Sequence, residues 1–211
     1  MKRIITVQHT RSLQHENGMI GSLTDWTLTD EGFRQAQRIG VRLAEELKDT
    51  DAALYSSDLT RARQTAEQIA LSMELKPQYT PALREFDLGE AVGKTKSWAR
   101  KNNICPLWPD TIDWAENADG IPFPGAQSRR DMWEQVSVFL EDVLTAPTPT
   151  CILVSHSGTL SILFALWLGM EVRDTDRCLL AGKAGGVSEL AEDTAGHRIL
   201  VRLNDMSYVQ E

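Results

Sequence analysis

Two histidines each follow directly on a short apolar run that is typical of a buried strand. His9 closes R-I-I-T-V-Q, and His156 follows C-I-L-V-S. A neutral imidazole is a good nucleophile near pH 7, because its ordinary pKa leaves much of it uncharged there. Attack of such a nitrogen on phosphorus would give a phosphohistidine. A histidine at a strand end is more often a hydrogen-bonded structural residue, so this chemistry requires partners elsewhere in the chain.

Cationic and acidic candidates for the same chemistry occur in other segments. A transferring phosphoryl group carries its charge on three oxygens and needs planar cationic donors around it. Arg61 can offer a bidentate fork, and Arg11 or Arg63 could add a second one. Glu85, in L-R-E-F-D-L-G, could protonate the leaving oxygen. The simpler interpretation is that these arginines are solvated and that Glu85 forms a surface ion pair with Arg84.

The elements that would position these groups alternate between strands and helices. Apolar patterning predicts strands at 3–8, 52–55, 151–155, 187–190 and 198–203, with helices starting near residues 29, 57, 128 and 156. Thr29 is the expected N-cap of the first helix, and Ser56 or Ser57 that of the second. Such alternation predicts an α/β sandwich with a largely parallel sheet. Ligands of such a sheet bind beyond the carboxyl ends of its strands, where Gln8-His9, Ser56-Ser57 and Ser155-His156 fall.

Composition restricts the class of protein. The 211 residues favour one domain, residues 1–211, and a net charge of −8 argues against a general nucleic-acid partner. Three widely spaced cysteines form no C-x-x-C pair and no metal-ligand spacing with the histidines, so no metal site is expected. The N-terminus turns polar too early for a signal peptide, and no apolar run is long enough to span a bilayer. We therefore expect a cytoplasmic protein without a membrane partner.

One segment departs from this alternation. Residues 81–125 are irregular and rich in proline, glycine and tryptophan. The part at about 91–125 is interpreted as an ordered insertion, since its tryptophans indicate packing rather than a flexible linker.

Six motifs in order resemble those of the histidine phosphatase superfamily, the group that includes phosphoglycerate mutases and acid phosphatases. They are Q-H-T-R-S, G-x-x-x-D-W-T-L-T-D-E-G, S-S-D-L-T-R-A-R-Q-T-A, L-R-E-F-D-L-G-E, P-G-A-Q-S and V-S-H-S-G-T-L. The resemblance makes His9 the nucleophile, Arg61 the phosphate-binding arginine, Glu85 the proton donor and His156 the second pocket histidine. It also implies a three-layer α/β/α sandwich with a mixed, mostly parallel sheet, and no metal or other cofactor. The insertion would then cover the pocket, with the stretch from Trp98 to Trp114 as the candidate lid.

The first motif departs from the family pattern. The family has R-H-G where this chain has Gln8, His9 and Thr10. Losing a bidentate cation weakens a phosphate site unless another group replaces it. Gln8 can still donate an N–H, and Arg11 is near enough in sequence to reach the same oxygens. The family also has an asparagine six residues after the nucleophile.

At that position this chain has His15, while Asn17 follows two residues later. Either residue could take the role of the family asparagine.

The favoured interpretation is a cytosolic phosphatase that hydrolyses a small phosphomonoester through phospho-His9. Phosphate would be held by Arg61, His156, Gln8 and Arg11, and Glu85 would act as general acid. A phosphoglycerate mutase-type phosphoryl transfer is the first alternative. The second is a phosphate- or phosphoprotein-binding module whose catalysis is weakened, with Gln8 as the lesion.

Overall fold

The structure, a computed structural model, describes residues 1–102, 118–176 and 178–210. Its strands are β1 Arg3–Gln8, β2 Ala52–Ser57, β3 Gln78–Thr80, β4 Thr150–Ser155, β5 Val187–Glu192 and β6 Arg198–Asp205. Its α-helices are α1 Asp30–Glu46, α2 Thr60–Met73, α3 Lys96–Asn102, α4 Arg129–Thr145 and α5 Ser157–Trp167. All five predicted strands are present, and the three-residue β3 is an addition that the apolar pattern did not reveal.

The six strands form one sheet in the order β3-β2-β4-β1-β5-β6. The pairs β2–β3, β2–β4 and β1–β4 are parallel, whereas β1–β5 and β5–β6 are antiparallel. Every residue of β4 is buried, as expected for a central strand that is covered on both faces. The sheet is therefore mixed and mostly parallel, which confirms the predicted α/β class.

Alternation along β1 directs its side chains into two separate cores. Ile4 packs in a cluster that includes Phe139 of α4 and Leu163 of α5. Its neighbour Ile5 faces the opposite side, in a cluster with Ile39 of α1 and Ile69 of α2. Because successive strand residues point to opposite faces, α1 and α2 cover one face of the sheet and α4 and α5 the other. This arrangement is the expected three-layer sandwich.

The two predictions of helix N-caps have different outcomes. Thr29 caps α1, since its side chain accepts a hydrogen bond from the backbone N–H of Gly32 at 3.1 Å. The prediction that Ser56 or Ser57 caps α2 is wrong, because both serines belong to β2 and the helix begins at Thr60. The carboxylate of Asp25 accepts from the Thr60 N–H at 2.9 Å instead. A residue distant in sequence thus satisfies a free donor of the first turn.

The described part of the insertion packs in a small apolar cluster with residues from other segments. Trp98 of α3 lies 6.0 Å from Phe123 between ring centroids, and Ile20, Leu88 and Ala99 are buried in the same cluster. Residues 103–117, with Trp108, Trp114 and Cys105, lie outside the described residues, so a lid at about 91–125 on one domain stays a prediction. Among the described helices, none is both long enough and apolar enough to cross a membrane.

Candidate active site

The carboxyl ends of β1 and β4 bring two histidines together. Gln8 and Ser155 are paired in the parallel register, and the backbone N–H of His9 donates to the backbone carbonyl of Ser155 at 2.9 Å. His9 and His156 follow these positions directly, and their ring centroids lie 5.1 Å apart. The strand-end convergence that the sequence predicted therefore joins residues separated by most of the chain.

His9 is held in one tautomer. Its Nδ1 lies 2.9 Å from the Thr10 carbonyl, a pure acceptor, so Nδ1 carries the ring proton and donates it. Its Nε2 then has a lone pair, which accepts from the Nε–H of Arg61 at 3.2 Å. The ring is 2% exposed. Burial lowers the pKa of His9 well below 6.5, and the charge of Arg61 lowers it further, so the ring is neutral near pH 7.

Arg61, on the first turn of α2, is fully buried and held at three points. Besides the bond to His9, its Nη1 donates to the Thr24 carbonyl at 2.8 Å and its Nη2 to the Ser22 carbonyl at 2.7 Å. Burial lowers the pKa of Arg61 to about 10, opposed by the carboxylates of Glu85 and Asp25. The guanidinium is therefore charged near pH 7 and fixed in orientation beside His9.

His156 is at the N-cap position of α5 and is also fully buried. Its Nε2 lies 2.9 Å from the Ser57 hydroxyl, at the end of β2. Its Nδ1 is buried and has no hydrogen-bond partner among the described residues. Burial lowers the pKa of His156 well below 6.5, with smaller effects of the same sign from Arg61 and His9. A second neutral imidazole thus stands beside the first.

Glu85 lies against the N-terminus of α5. Its Oε2 accepts from the Gly158 N–H at 3.2 Å and from the Ser157 hydroxyl at 3.4 Å, while Oε1 accepts from the Phe86 N–H at 3.1 Å. A Cβ at position 158 would lie only 2.4 Å from Glu85 Oε1, so glycine is required for this close approach. The backbone positions the carboxylate beside the helix that also carries His156.

The structure brings Gln8 next to the site, but it holds Arg11 elsewhere. Gln8 is 7% exposed, and its Oε1 has no partner within the described ranges. The Arg11 side chain is 51% exposed, and its Nε lies 3.0 Å from the Glu16 carboxylate. Arg63 pairs with Glu67 at 3.7 Å on the surface, as its simpler interpretation predicted. The phosphate-binding roles of Gln8 and Arg11 stay predictions.

His15, rather than Asn17, lies beside His9. Its ring centroid is 5.6 Å from that of His9, and its Nδ1 accepts from the Ser12 N–H at 3.0 Å. The Asn17 Oδ1 accepts from the Met19 N–H in an exposed turn. Partial desolvation lowers the pKa of His15, although its side chain reaches solvent. Of the two candidates, the residue six positions after His9 is thus the one that approaches it.

Sequence reasoning missed Gln14 and the specific contact of Ser57. The Gln14 amide nitrogen lies 3.4 Å from His9 Nε2, and the same side chain fills the space where a Cβ of Gly21 would be. Nothing in the local pattern distinguishes Gln14 from its polar neighbours. Ser57 lies in one of the three polar clusters at strand ends, so its place on the rim was predictable, although its contact with His156 was not.

Known proteins resemble this chain along most of its length. The model of the histidine phosphatase superfamily (branch 1) matches residues 4–206. A Hydrogenobacter thermophilus protein named "Putative phosphoserine phosphatase 2" is 31% identical over 174 residues, 82% of each chain. A Yersinia pestis protein named "Probable phosphoglycerate mutase GpmB" is 27% identical over 185 residues, 85% of this chain and 81% of that one.

A solved structure extends the likeness to the fold. The mycobacterial glucosyl-3-phosphoglycerate phosphatase, in complex with VO3, superposes with a TM-score of 0.79 at 20% identity, covering 97% of this chain and 99% of that chain. The relatives of this protein are thus phosphatases and phosphoglycerate mutase-like proteins. The chain belongs to the histidine phosphatase superfamily.

Proposed function

We propose that this protein is a metal-independent phosphatase that hydrolyses a small phosphomonoester through a phosphohistidine on His9. The observation that carries the proposal is the state of the His9 ring. Its Nδ1 donates to the Thr10 carbonyl, which leaves the Nε2 lone pair beside the buried Arg61 guanidinium. A neutral imidazole with a fixed lone pair next to a cation is suited to attack on an anionic phosphorus centre.

In the first step, the His9 Nε2 lone pair forms a bond to phosphorus while the bond from phosphorus to the alcohol oxygen breaks. Arg61, which donates to His9 Nε2 in the free protein, then donates to a phosphoryl oxygen. The Glu85 carboxyl transfers its proton to the leaving alcohol oxygen. The products of this step are phospho-His9, a free alcohol and a Glu85 carboxylate.

In the second step, water attacks phosphorus and the N–P bond breaks. The Glu85 carboxylate accepts the proton of the attacking water, which restores its carboxyl form. The electron pair of the broken bond returns to His9 Nε2, and orthophosphate leaves. Each group thus ends the cycle in its initial protonation state, without a metal ion or cofactor.

Two further side chains are proposed to hold the phosphoryl oxygens from their present positions, and a third, Arg11, only after its ion pair with Glu16 breaks. His156 offers Nδ1, which has no hydrogen-bond partner among the described residues, and Gln8 would donate from its amide N–H. Arg11 would have to leave Glu16 to contribute a second guanidinium. With Gln8 in the place of the family arginine, Arg61 is the principal cation of this arrangement.

Mutase-type transfer is the alternative that one relative's name supports, since that Yersinia protein is called a phosphoglycerate mutase. A mutase must retain and reorient its intermediate, whereas a phosphatase admits water to it. Release of orthophosphate without transfer to a second hydroxyl of the substrate therefore separates the two activities. A binding module would show neither a labelled intermediate nor turnover, although it would retain phosphate affinity.

The proposal is tested by trapping the intermediate. The full-length protein is mixed with a ³²P-labelled aryl phosphate and quenched in alkaline denaturant, because phosphohistidine is stable in base and labile in acid. We expect base-stable label on His9, and loss of both label and turnover in His9→Ala. Full hydrolysis by His9→Ala, or tight phosphate binding with no label and no turnover in the native protein, would overturn the mechanism.

A further inference from the structure

The Ser57 hydroxyl has two hydrogen-bond neighbours, and their chemistry fixes the direction of its proton. Ser57 is fully buried at the end of β2. The backbone N–H of Leu59 donates to Ser57 Oγ at 3.3 Å. Because a backbone N–H can only donate, Ser57 Oγ is the acceptor in this bond. The second neighbour is His156 Nε2 at 2.9 Å, which donates or accepts according to the tautomer of the ring.

Counting donors and acceptors selects one tautomer. If His156 Nε2 donated, Ser57 Oγ would accept from both neighbours, and its own buried O–H would have no acceptor among the described residues. If Ser57 donates to His156 Nε2, the hydroxyl is satisfied as donor and as acceptor. Buried polar groups in folded proteins are nearly always paired, so the second arrangement is favoured. The ring proton of His156 is then on Nδ1.

Nδ1 is the atom of His156 that remains for a ligand. It is buried and has no partner within the described part of the chain. The His9 and His156 ring centroids are 5.1 Å apart, so a phosphoryl group on His9 would lie next to the second ring. An Nδ1–H would donate to its oxygens, whereas an Nδ1 lone pair would repel them. The orientation of one serine proton therefore decides whether His156 attracts or repels the transferred group.

We propose that Ser57 is a positioning residue that donates to His156 Nε2 and thereby keeps the ring proton on Nδ1, directed at the transferred phosphoryl group. The proposal rests on the proposed function and deepens it. Because His156 is neutral near pH 7, the choice of tautomer, rather than the total charge of the ring, determines what it offers the substrate. Ser57 itself does not touch the reacting atoms in this scheme.

The direct test reads the tautomer by NMR. In full-length protein labelled with ¹⁵N-histidine, long-range ¹H–¹⁵N correlations at pH 7.5 show which ring nitrogen carries the proton. We expect His156 to be protonated on Nδ1, and Ser57→Ala to shift the population towards the Nε2–H form. Protonation on Nε2 in the native protein would overturn the proposal, whatever the activity measurements show.

Kinetics supply the functional test. With an aryl phosphate as substrate, Ser57→Ala is expected to lower kcat about tenfold to a hundredfold while KM changes less than about threefold, since the lost donor acts on the transition state. Ser57→Thr keeps the hydroxyl and should restore both most of kcat and the Nδ1–H tautomer. Ser56→Ala is the matched control, because the buried Ser56 hydroxyl donates to the Ser57 carbonyl rather than to His156.

The outcomes separate this inference from the proposed function. Unchanged kcat in folded Ser57→Ala, or an equal loss in Ser56→Ala, would overturn the role of Ser57. If the native protein gave no phosphohistidine label and no turnover, the proposed function would fail. The Ser57 assignment would then still be decided by the tautomer of His156 in the native protein and in Ser57→Ala.

Discussion

Two regions of this molecule contain clusters of charged and polar side chains. They differ in how many of their buried polar atoms lack a hydrogen bond. The first, called the catalytic rim after its proposed function, is formed by Gln8, His9, Gln14, Arg61, Glu85 and His156. The second is the Glu46 cluster, formed by Arg3, Glu46, Glu189, Arg202 and Tyr208. In the Glu46 cluster the Glu46 carboxylate binds Arg3 at 2.6 Å and Arg202 at 2.5 Å, and it also accepts from the Tyr208 hydroxyl. Glu189 binds the same two arginines at 2.8 Å each.

The catalytic rim instead leaves polar atoms without partners. Among the described residues, six buried side-chain polar atoms lack a hydrogen bond, and those of Gln8, Gln14 and His156 lie at or beside the rim. Of these six atoms, only the Arg202 Nε belongs to the Glu46 cluster. Paired charges stabilise a fold, whereas unpaired buried polar groups destabilise it unless a ligand occupies them. The number of unpaired buried polar atoms therefore distinguishes the Glu46 cluster, which stabilises the structure, from the rim, which we propose binds the substrate.

The largest expected effect is that of Arg61→Lys. Arg61 reaches His9, Ser22 and Thr24 with three different nitrogens, and a lysine ammonium cannot reproduce that planar fork. We expect kcat/KM for an aryl phosphate to fall about 10²- to 10³-fold. Thermal melting should accompany the assay. A fully active and folded Arg61→Lys would contradict the role given to this guanidinium.

Glu85→Gln should produce a loss that depends on the leaving group. An amide cannot protonate the leaving oxygen, so kcat for an alkyl phosphate should fall about 10²-fold. A nitrophenyl phosphate needs little protonation of its leaving oxygen, so its formation of phospho-His9 should be affected much less. Comparing burst amplitudes and steady-state rates for the two esters checks this. Equal losses in the phosphorylation step for both esters would argue against general acid catalysis by Glu85.

Acid should destabilise the catalytic rim before it affects the Glu46 cluster. The pKa values of His9 and His156 are well below 6.5, so below pH 6.5 the unfolded chain binds protons that the folded chain does not. Each unit by which the pH is lowered below 6.5 should therefore decrease the free energy of unfolding by about 1.4 kcal/mol for each buried histidine. The lowered pKa of His15 acts in the same direction.

Glu46 titrates in a lower window. Burial raises its pKa, but hydrogen bonds from Tyr208 and Arg202 outweigh burial, and the net pKa lies below 4.5. Its stabilising contribution is present above pH 4.5 and is lost as pH falls through the lower, folded-state pKa. Urea denaturation between pH 7.5 and 4.5 should thus report on the histidines. If the free energy of unfolding depended on pH equally in the native protein and in the double variant His9→Gln/His156→Gln, this assignment would be wrong.

Glu46→Gln should separate stability from activity. The change removes the charge that Arg3, Arg202 and Tyr208 bind, and we expect about 1–3 kcal/mol lower free energy of unfolding. The kcat for an aryl phosphate should be unchanged at a temperature where the variant is folded. Loss of activity in the folded variant would show that the two regions are coupled.

The smallest effect is expected for Arg11→Ala. Arg11 is exposed and paired with Glu16, so removing it should change kcat/KM less than about threefold. Arg63→Ala is the matched control, since Arg63 is likewise exposed and paired, with Glu67. A loss of tenfold or more in Arg11→Ala alone would mean that Arg11 leaves Glu16 to bind phosphate and compensates for Gln8.

The fold was predictable from local pattern because β4 and α5 are strongly apolar and Thr29 is a strong N-cap. The start of α2 was not, since the partner of Thr60 is Asp25, a residue that only the tertiary fold brings near. The same distinction applies to the site. Strand ends locate His9 and His156, whereas the contacts of Arg61 with Ser22 and Thr24 depend on how a loop folds back over the helix.

The lack of a side chain at Gly158 allows the Glu85 carboxylate to lie close to the backbone of α5. A methyl group there would meet both Glu85 Oε1, at 2.4 Å, and the Phe86 ring, at 2.7 Å. Alanine at this position should therefore push the carboxylate away while leaving His9 and Arg61 in place. Such a protein would still accept a phosphoryl group from an activated ester but would release it slowly. Phospho-His9 would then persist long enough to be isolated, without the alcohol part of the ester, which leaves in the first step.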